Sequence, residues 1–353
     1  MKIGIITYHR ALNYGAVLQC YALQQVLKKM GHEVNVIDFR QPVIESLYAL
    51  DFRVKDVIKA IIGGHPKSLL SIYRHWKTVI RFHNFIHTNL NCTKPCMGDG
   101  IPQNFEAYVI GSDQMWSFNC VGGYEPVYFG QFQRKPGTKL YGYAISSCGD
   151  FMDIMSKSAI CKVLDNFNQY SLREQKIAQR LALIVDKNIP LCLDPTLLLD
   201  ADDWSLLVRR KFQKEKYVFL YQVRGGNGKS EKVALMARKF AEDKQLKLID
   251  MSKRADSVED FVSAIKFAKY VFTTSFHATV FSVIFGVPFA SFKLNDGHDD
   301  RYIDLLESLN LNHHLFDIND TINTDMISQD DKENVLQKLN ILRKESIDFL
   351  KMI

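Results

Sequence analysis

Residues 2–39, KIGIITYHRALNYGAVLQCYALQQVLKKMGHEVNVIDF, contain the pattern that decides the fold. The alternating β-branched run from Lys2 to Thr7 predicts a first strand, and a polar turn leads from it into an apolar helical pattern. Gly31 stands where such a helix would end, and Val34 to Phe39 predicts a second strand. A strand, a helix and a strand in so short a stretch form a βαβ unit, so we expect a parallel sheet.

The same alternation continues through the first half of the chain. Helical patterns near residues 155–167 and 173–184 separate short apolar runs that are typical of strands. We therefore predict an N-terminal α/β domain of the doubly wound type at residues 1–205. Its further predicted strands are Ala107–Ile110, Leu140–Ile145 and Leu191–Leu193.

A polar and basic stretch, residues 201–216, is the candidate linker, and we interpret its run Arg209 to Lys216 as a solvated face. The strand and helix alternation then starts again, which predicts a second doubly wound domain at residues 214–327. A terminal helix at residues 328–353 carries one apolar stripe and is expected to pack on the first domain. The predicted strands of the second domain are Tyr217–Val223, Leu246–Asp250, Tyr270–Thr273 and Pro288–Ser291.

Length and composition agree with two globular domains. At about 150 residues per domain, the 353 residues correspond to a little over two domains. Lys+Arg 45 minus Asp+Glu 39 gives +6, a small excess that is dispersed along the chain. Since no nucleic-acid-binding motif accompanies this charge, we expect no nucleic-acid partner. The hydrophobic fraction of 47% excludes a disordered chain.

The sequence predicts a cytoplasmic protein. No apolar run reaches the roughly 18 residues that a membrane-spanning helix needs, and the first residues lack the pattern of a signal peptide. The 7 cysteines are odd in number and scattered, which suits a reducing compartment. Cys92 and Cys96 form an isolated C-x3-C without a second pair, so we expect no metal site.

Two doubly wound domains would face a central cleft with the carboxyl ends of their strands, where ligands bind in such folds. The first strand-end loop contains Asn13, Tyr14 and Gly15. Gly15 permits close approach to a helix start, where free N–H groups favour an anion or a sugar hydroxyl. The loop lacks G-x-G-x-x-G, so a dinucleotide is not expected. The structural alternative is a turn with Asn13 as the N-cap.

The second loop, Gly111-Ser112-Asp113-Gln114-Met115-Trp116, follows a predicted buried strand. It concentrates hydrogen-bond donors and acceptors beside Trp116, whose flat face suits a sugar ring. The loop therefore predicts a carbohydrate site. An Asx turn beside a core tryptophan is the structural alternative.

The third and fourth loops carry basic groups. Arg173 lies at a helix start and suits a carboxylate or a phosphate, or pairs with a neighbouring acid. Thr274 and Ser275 end a buried strand, and His277 follows in the first turn of an apolar helix. A histidine at that position suits chemistry or an incoming anion, whereas the alternative is a structural histidine.

These motifs, together with Asp194-Pro195-Thr196, resemble the polysaccharide pyruvyl transferase family over about residues 3 to 310. The family is similar in fold to glycosyltransferases of the GT-B type, which implies two Rossmann-like domains. The resemblance implies transfer of pyruvate from phosphoenolpyruvate to two hydroxyls of a sugar. The product would be a cyclic ketal on a bacterial surface polysaccharide precursor, such as a lipid-linked oligosaccharide, with no metal or redox cofactor.

The resemblance also implies roles for individual residues, with the first domain on the acceptor side and the second on the donor side. His277 would act as acid/base or as phosphate partner. Several family members carry Arg-Leu-His where this chain has Ser275-Phe276-His277, so another arginine must supply the charge. The expected donor-binding residues are Arg173, Arg224, Thr274, Ser275 and Arg301, and the expected acceptor-binding residues are Asn13, Tyr14, Gly15, Ser112, Asp113, Gln114 and Trp116.

Two other functions remain open at this point. One is a nucleotide-sugar glycosyltransferase of the GT-B type, because a fold does not determine a function. The other is a non-catalytic carbohydrate-binding protein of an envelope-assembly complex. Residues 66–88 interleave aromatic and basic residues, as an amphipathic helix at the inner face of a membrane does. A helix packed on the first domain is the alternative for that segment.

Overall fold

The computed structural model describes most of the chain. Among the residues named above, Arg224 and the predicted start of the terminal helix at residues 328–331 lie outside the described part. The described residues are 1–48, 66–223, 228–254, 256–295, 297, 299–320, 322, 327 and 332–353.

The first half of the chain forms a five-stranded sheet in which every paired strand is parallel. Its order is β2-β1-β3-β4-β5, so that the first strand lies between the second and the third. The predicted strand Leu191–Leu193 contributes a single bridge, from Leu191 to Leu172. The strands are β1 (Lys2–Ile6), β2 (Glu33–Val36), β3 (Ala107–Ile110), β4 (Lys139–Ile145) and β5 (Gln169–Leu172).

The second half repeats this topology. Its order is β10-β9-β8-β6-β7, again parallel throughout, with its own first strand between the second and the third. The predicted two-domain Rossmann-like α/β fold is confirmed by these two sheets, although the sequence did not indicate β10. The strands are β6 (Tyr217–Tyr221), β7 (Lys247–Asp250), β8 (Tyr270–Thr273), β9 (Phe289–Lys293) and β10 (Leu315–Asp317).

Helices alternate with the strands, and two of them are almost wholly buried. In α11 (Phe276–Phe285), every residue from Phe276 to Ile284 is buried, as expected for a helix that is apolar on all sides. Most of α1 is buried as well. The helices are α1 (Tyr14–Lys29), α2 (Pro42–Tyr48), α3 (Pro66–Asn89), α4 (Phe118–Val121), α5 (Asp150–Ile154), α6 (Lys157–Leu164), α7 (Gln175–Val185), α8 (Ala201–Ser205), α9 (Lys229–Asp243), α10 (Val258–Lys266), α11 (Phe276–Phe285), α12 (Asp300–Ser308) and α13 (Lys332–Leu350).

The strand order determines where the loops meet. In each sheet the chain leaves the first strand toward one side and the third strand toward the other, which opens a crevice at the carboxyl ends of these two strands. The loops after β1, β3 and β8, together with Val223 after β6, border these crevices. Most of the residues singled out from the sequence lie in these loops.

Aromatic side chains join the two halves. The Tyr14 ring stacks on Phe261 of α10 with 4.5 Å between ring centroids, and its hydroxyl donates to the Asp256 carbonyl at 3.1 Å. Trp204 of α8 is fully buried and meets the rings of Tyr21 and Phe281, one on each half. The halves therefore share a continuous apolar core.

The candidate linker agrees with its interpretation as a solvated face, because the basic side chains from Arg209 to Lys216 are exposed, and two of them also pair with acids of the second half. Arg209 pairs with Glu259 at 2.9 Å, and Lys211 lies 3.2 Å from Asp256 and 2.9 Å from Asp260. Acidic residues at the start of α10 thus neutralise part of the basic run.

The terminal helix α13 and the turn that follows it contact the first half of the chain. Tyr141 donates its hydroxyl proton to the Met352 carbonyl at 3.1 Å, and Arg343 donates to the carbonyls of Leu197 and Leu199 at 2.5 and 3.1 Å. The domain limits at residues 205, 214 and 327 stay predictions. Among the described residues, no helix combines the length and apolar character that crossing a bilayer requires.

We predict that Trp204→Ala lowers the free energy of unfolding by about 3–5 kcal/mol, because it removes the side chain that fills the junction between the halves. Urea unfolding followed by circular dichroism measures the change. Leu206→Ala is the control, since Leu206 is 81% exposed and should change stability by about 0.5 kcal/mol or less. Equal effects of the two substitutions would contradict the packing described here.

Candidate functional site

A cavity of about 250 Å³ lies between the carboxyl ends of the two sheets. Loops after β1, β3 and β8 line it, together with the first part of α12. The Tyr8 hydroxyl donates to the Gln114 carbonyl at 2.9 Å, which ties the first two of these loops together. The predicted site residues that line the cavity are Asn13, Asp113, Gln114, Thr274, Ser275, His277 and Arg301.

Two helices begin at this cavity. The Asn13 side chain accepts from the backbone N–H groups of Gly15 and Ala16 at 2.9 and 3.4 Å, so it caps α1. The Ser275 side chain accepts from the Ala278 N–H at 3.4 Å and caps α11. The positive ends of both helix dipoles therefore point toward the cavity, and they favour an anion there.

Gly15 and His277 are in direct contact across the junction of the two halves. A Cβ atom on Gly15 would lie 1.9 Å from Nδ1 and 2.4 Å from Cγ of His277. Glycine is therefore required at this position, but the group that approaches its backbone is the His277 ring rather than a ligand. The contact sets how closely α1 and α11 approach each other.

Asp194 lies beside the imidazole as well. Its Oδ2 is 3.6 Å from Nε2 of His277, and its Oδ1 accepts from the N–H and the hydroxyl of Thr196 at 2.9 and 2.5 Å. His277 Nε2 is buried and finds no hydrogen-bond partner among the described residues. Burial raises the pKa of Asp194, but Arg173, His277 and Thr196 together hold that pKa well below its usual range.

Arg173 is held by acids and does not contribute to the described lining of the cavity. Its guanidinium hydrogen-bonds to Asp194 and lies 3.4 Å from Glu174 and 3.9 Å from Asp113. Burial raises the pKa of Glu174, and Arg173 offsets that rise only in part, whereas the pKa of Asp194 falls. Arg173 therefore stabilises the ionised form of Asp194 more than that of Glu174. The structure thus favours the neighbouring-acid alternative for Arg173, and its role in donor binding stays a prediction.

Arg301 supplies a cationic side chain to the lining of the cavity. Its guanidinium carbon lies 6.0 Å from the centre of the Phe276 ring, and that of Arg173 lies 4.8 Å from the same ring. The Phe276 ring is therefore a shared neighbour of both arginines. The predicted donor role of Arg224 concerns a residue outside the described part of the chain.

Asp113 has an unusual backbone conformation at the cavity. Its φ of 80° is in the left-handed region, which is uncommon for a residue other than glycine. Its side chain accepts from the Gln114 N–H at 2.9 Å, and its carbonyl accepts from the Ser146 N–H at 3.0 Å. The loop after β3 is thereby held so that Asp113 and Gln114 both reach the cavity.

The other predicted acceptor residues are not brought to the cavity. Trp116 is fully buried, stacks on Phe129 and donates its indole N–H to the Tyr128 carbonyl at 3.0 Å. Ser112 donates to the Ala144 carbonyl at 2.8 Å. Tyr14 lies at the junction of the halves. The expected sugar contacts of Trp116, Ser112 and Tyr14 are therefore corrected to structural roles.

Sequence reasoning missed several residues around the site. Tyr8 lies two residues after the end of β1, and Phe276 stands between two predicted site residues, so position along the chain could have indicated both. Asp194 belongs to a sequence motif, but only the fold brings its carboxylate to His277. No group of three or more possible metal ligands occurs among the described residues.

We predict that Gly15→Ala destabilises the protein, although alanine normally stabilises a helix by about 0.5–1 kcal/mol relative to glycine. The new methyl group would overlap the His277 ring. In a His277→Ala background the same substitution should be neutral or stabilising. Urea unfolding of the four proteins in this double-mutant cycle should give a coupling energy of about 0.5–3 kcal/mol. Additive effects would contradict the contact.

Comparisons with solved structures find low sequence identity. UDP-GlcNAc 2-epimerase from Methanocaldococcus jannaschii, in complex with UDP-GlcNAc and UDP, is 11% identical with a TM-score of 0.47, covering 100% of this chain and 99% of that chain. The glycosyltransferase SnogD from Streptomyces nogalater is 11% identical with a TM-score of 0.40, covering 98% of this chain and 94% of that chain.

Comparisons of the amino-acid sequence identify the family of the protein. No curated protein sequence is significantly similar to the chain. The family model described as polysaccharide pyruvyl transferase matches residues 13–296, which span cavity-lining loops of both halves. Because this match extends over far more than half of the chain, the protein belongs to the polysaccharide pyruvyl transferase family.

Proposed function

We propose that the protein transfers the pyruvyl group of phosphoenolpyruvate to two hydroxyls of a sugar and forms a cyclic ketal during bacterial surface polysaccharide biosynthesis. One observation carries this proposal. His277, whose imidazole can transfer a proton, lines the same cavity toward which the positive ends of α1 and α11 point. Family membership supports a transferase.

The cavity suits a small anionic donor. Phosphoenolpyruvate carries a carboxylate and a phosphate, and the two helix N-termini and Arg301 supply complementary positive potential. The cavity volume of about 250 Å³ can hold a ligand as small as phosphoenolpyruvate.

The reaction balances with an acid/base group and an anion-binding site. One sugar hydroxyl adds to C2 of the enol phosphate and gives up its proton to an acid/base group, while C3 gains a proton and becomes a methyl group. The C2–O bond to phosphate then breaks, and phosphate leaves with the electron pair. A second sugar hydroxyl adds to C2, and its proton goes to the released phosphate or to solvent. The products are the ketal and inorganic phosphate.

In this mechanism, each cavity-lining residue has a distinct role. His277 exchanges a proton with the reacting groups, and Asp194 orients its ring through the Nε2 side. Thr274 and Ser275 place hydroxyls beside the donor at the start of α11. Asn13, Asp113 and Gln114 hydrogen-bond to the acceptor sugar. We propose no metal or redox cofactor and a cytoplasmic site of action.

We predict that His277→Ala lowers phosphate release from phosphoenolpyruvate by about 10²–10⁴-fold, the contribution of a positioned acid/base group. The assay uses a panel of lipid-linked galactosides and hexosamines as acceptors. His83→Ala is the control, since His83 is exposed on α3 and should leave turnover unchanged. Turnover of the His277 variant at the wild-type rate would refute the role of His277. Consumption of a nucleotide sugar, or of no donor at all, by the wild-type protein would establish one of the alternative functions.

The two arginines near Phe276 should behave differently. Arg301→Gln removes a cavity-lining charge, so the Kd for phosphoenolpyruvate should rise by about 10–100-fold. Arg173→Gln leaves buried Asp194 and Glu174 without their cation and should cost about 3–5 kcal/mol of stability. Isothermal titration and urea unfolding separate these outcomes. If Arg301→Gln bound phosphoenolpyruvate at full affinity, Arg301 would not be the donor-binding cation.

A further inference from the structure

One face of the C-terminal part of α3 packs on the rest of the protein. Val79, Phe82, Phe85 and Ile86 are buried, and the Phe82 ring lies 5.1 Å from that of Tyr14 at the start of α1. Members of this set recur at intervals of three and four residues, which is the spacing of one helix face. This part of the helix is therefore anchored, as the packed-helix alternative predicted.

A second face of α3 points away from that core. Leu70 is 47% exposed, Tyr73 52% and Trp76 45%. These residues follow one another at intervals of three, so they form a continuous apolar stripe along the helix surface. The centres of the Tyr73 and Trp76 rings lie 6.2 Å apart, which brings two aromatic side chains together outside the core. We call Leu70, Tyr73 and Trp76 the outer stripe.

Basic groups accompany the outer stripe. Arg74 is exposed, and the Lys77 ammonium lies 5.7 Å from the centre of the Tyr73 ring. Residues 66–89 contain four Lys and Arg residues and no Asp or Glu. Near the anchored end of the helix, Arg81 is directed to acids of the second half, at 3.7 Å from Asp256 and 4.0 Å from Asp260. The outer face of α3 is thus both apolar and positively charged.

We propose that the outer stripe of α3 lies on an anionic membrane surface. Aromatic and leucine side chains would enter the headgroup region, while Arg74 and Lys77 contact the anionic headgroups. A helix with this distribution of residues matches a negatively charged lipid surface better than a neutral protein surface, because the apolar stripe and the cations lie side by side.

The buried face of α3 contacts a residue next to the lining of the cavity. Phe82 of α3 touches Tyr14, and Tyr14 adjoins Asn13, which lines the cavity. The helix also reaches the second half through Arg81 and Asp256. The helix that would meet the membrane is therefore packed on residues of both halves. The membrane contact itself does not depend on the proposed pyruvyl transfer.

Tryptophan fluorescence tests the contact directly. The chain contains three tryptophans, and Trp116 and Trp204 are fully buried. An environment change on adding vesicles therefore reports mainly on Trp76. Vesicles of phosphatidylglycerol and phosphatidylcholine should shift the emission of the intact protein to shorter wavelength, and brominated lipids should quench it. Pure phosphatidylcholine vesicles and high salt should give a much smaller effect.

Flotation of the same vesicles measures binding of variants. Tyr73→Ala combined with Trp76→Ala should remove most of the bound fraction, and Arg74→Gln or Lys77→Gln should each weaken binding about fivefold. Leu183→Ala is the matched control, because Leu183 is an apolar residue on α7 that is 82% exposed. Circular dichroism and urea unfolding check that every variant is folded.

The results distinguish a membrane contact from an interface between two copies of this chain. If the intact protein neither floats with anionic vesicles at low salt nor shows a fluorescence shift, the proposal is wrong. Binding that the double variant retains in full would also overturn it. A change in oligomeric state by the double variant, without any vesicle binding of the intact protein, would assign the outer stripe to a second copy of the chain. None of these measurements uses turnover, so they are independent of the proposed reaction.

Discussion

The site depends on the contact between the Gly15 backbone and the His277 ring. It brings the N-termini of α1 and α11 together, although α1 follows a strand of the first sheet and α11 follows a strand of the second. Any side chain on Gly15 would separate these helices or turn the imidazole away from Asp194. The cavity, its positive potential and the orientation of His277 thus follow from one close approach that only glycine permits.

The buried carboxylate of Asp194 behind this contact is held in its ionised form. Asp194 has no exposed side-chain surface, yet Arg173, Thr196 and His277 surround it, so the carboxylate keeps its charge. The same arginine also lies beside Glu174 and Asp113. Arg173 stabilises the group that orients His277, and Arg301 takes the cationic position that borders the cavity.

Much of the fold could be predicted from local patterns. Alternating apolar runs and helix stop signals identify most strands, because strand and helix periodicities are local properties of the chain. The short strand β10 was not predicted, and the predicted strand Leu191–Leu193 forms one isolated bridge among the described residues. Both segments have three residues, which is too few to show a strand period. Residues singled out just after a strand end, such as Asp113 and His277, do line the cavity, while their roles stay predictions.

The sequence by itself determined the alternation of elements, the parallel sheets and the loops in which chemistry should be sought. Only the tertiary structure decided which side chains of those loops face the cavity. Trp116 and Asp113 are in the same loop, but the first is buried among aromatic rings and the second lines the cavity. Likewise, Asp194 meets His277 from a distant part of the chain, a proximity that no local pattern contains. The physical reason is that burial and charge pairing depend on which distant elements pack together, whereas periodicity depends only on neighbours along the chain.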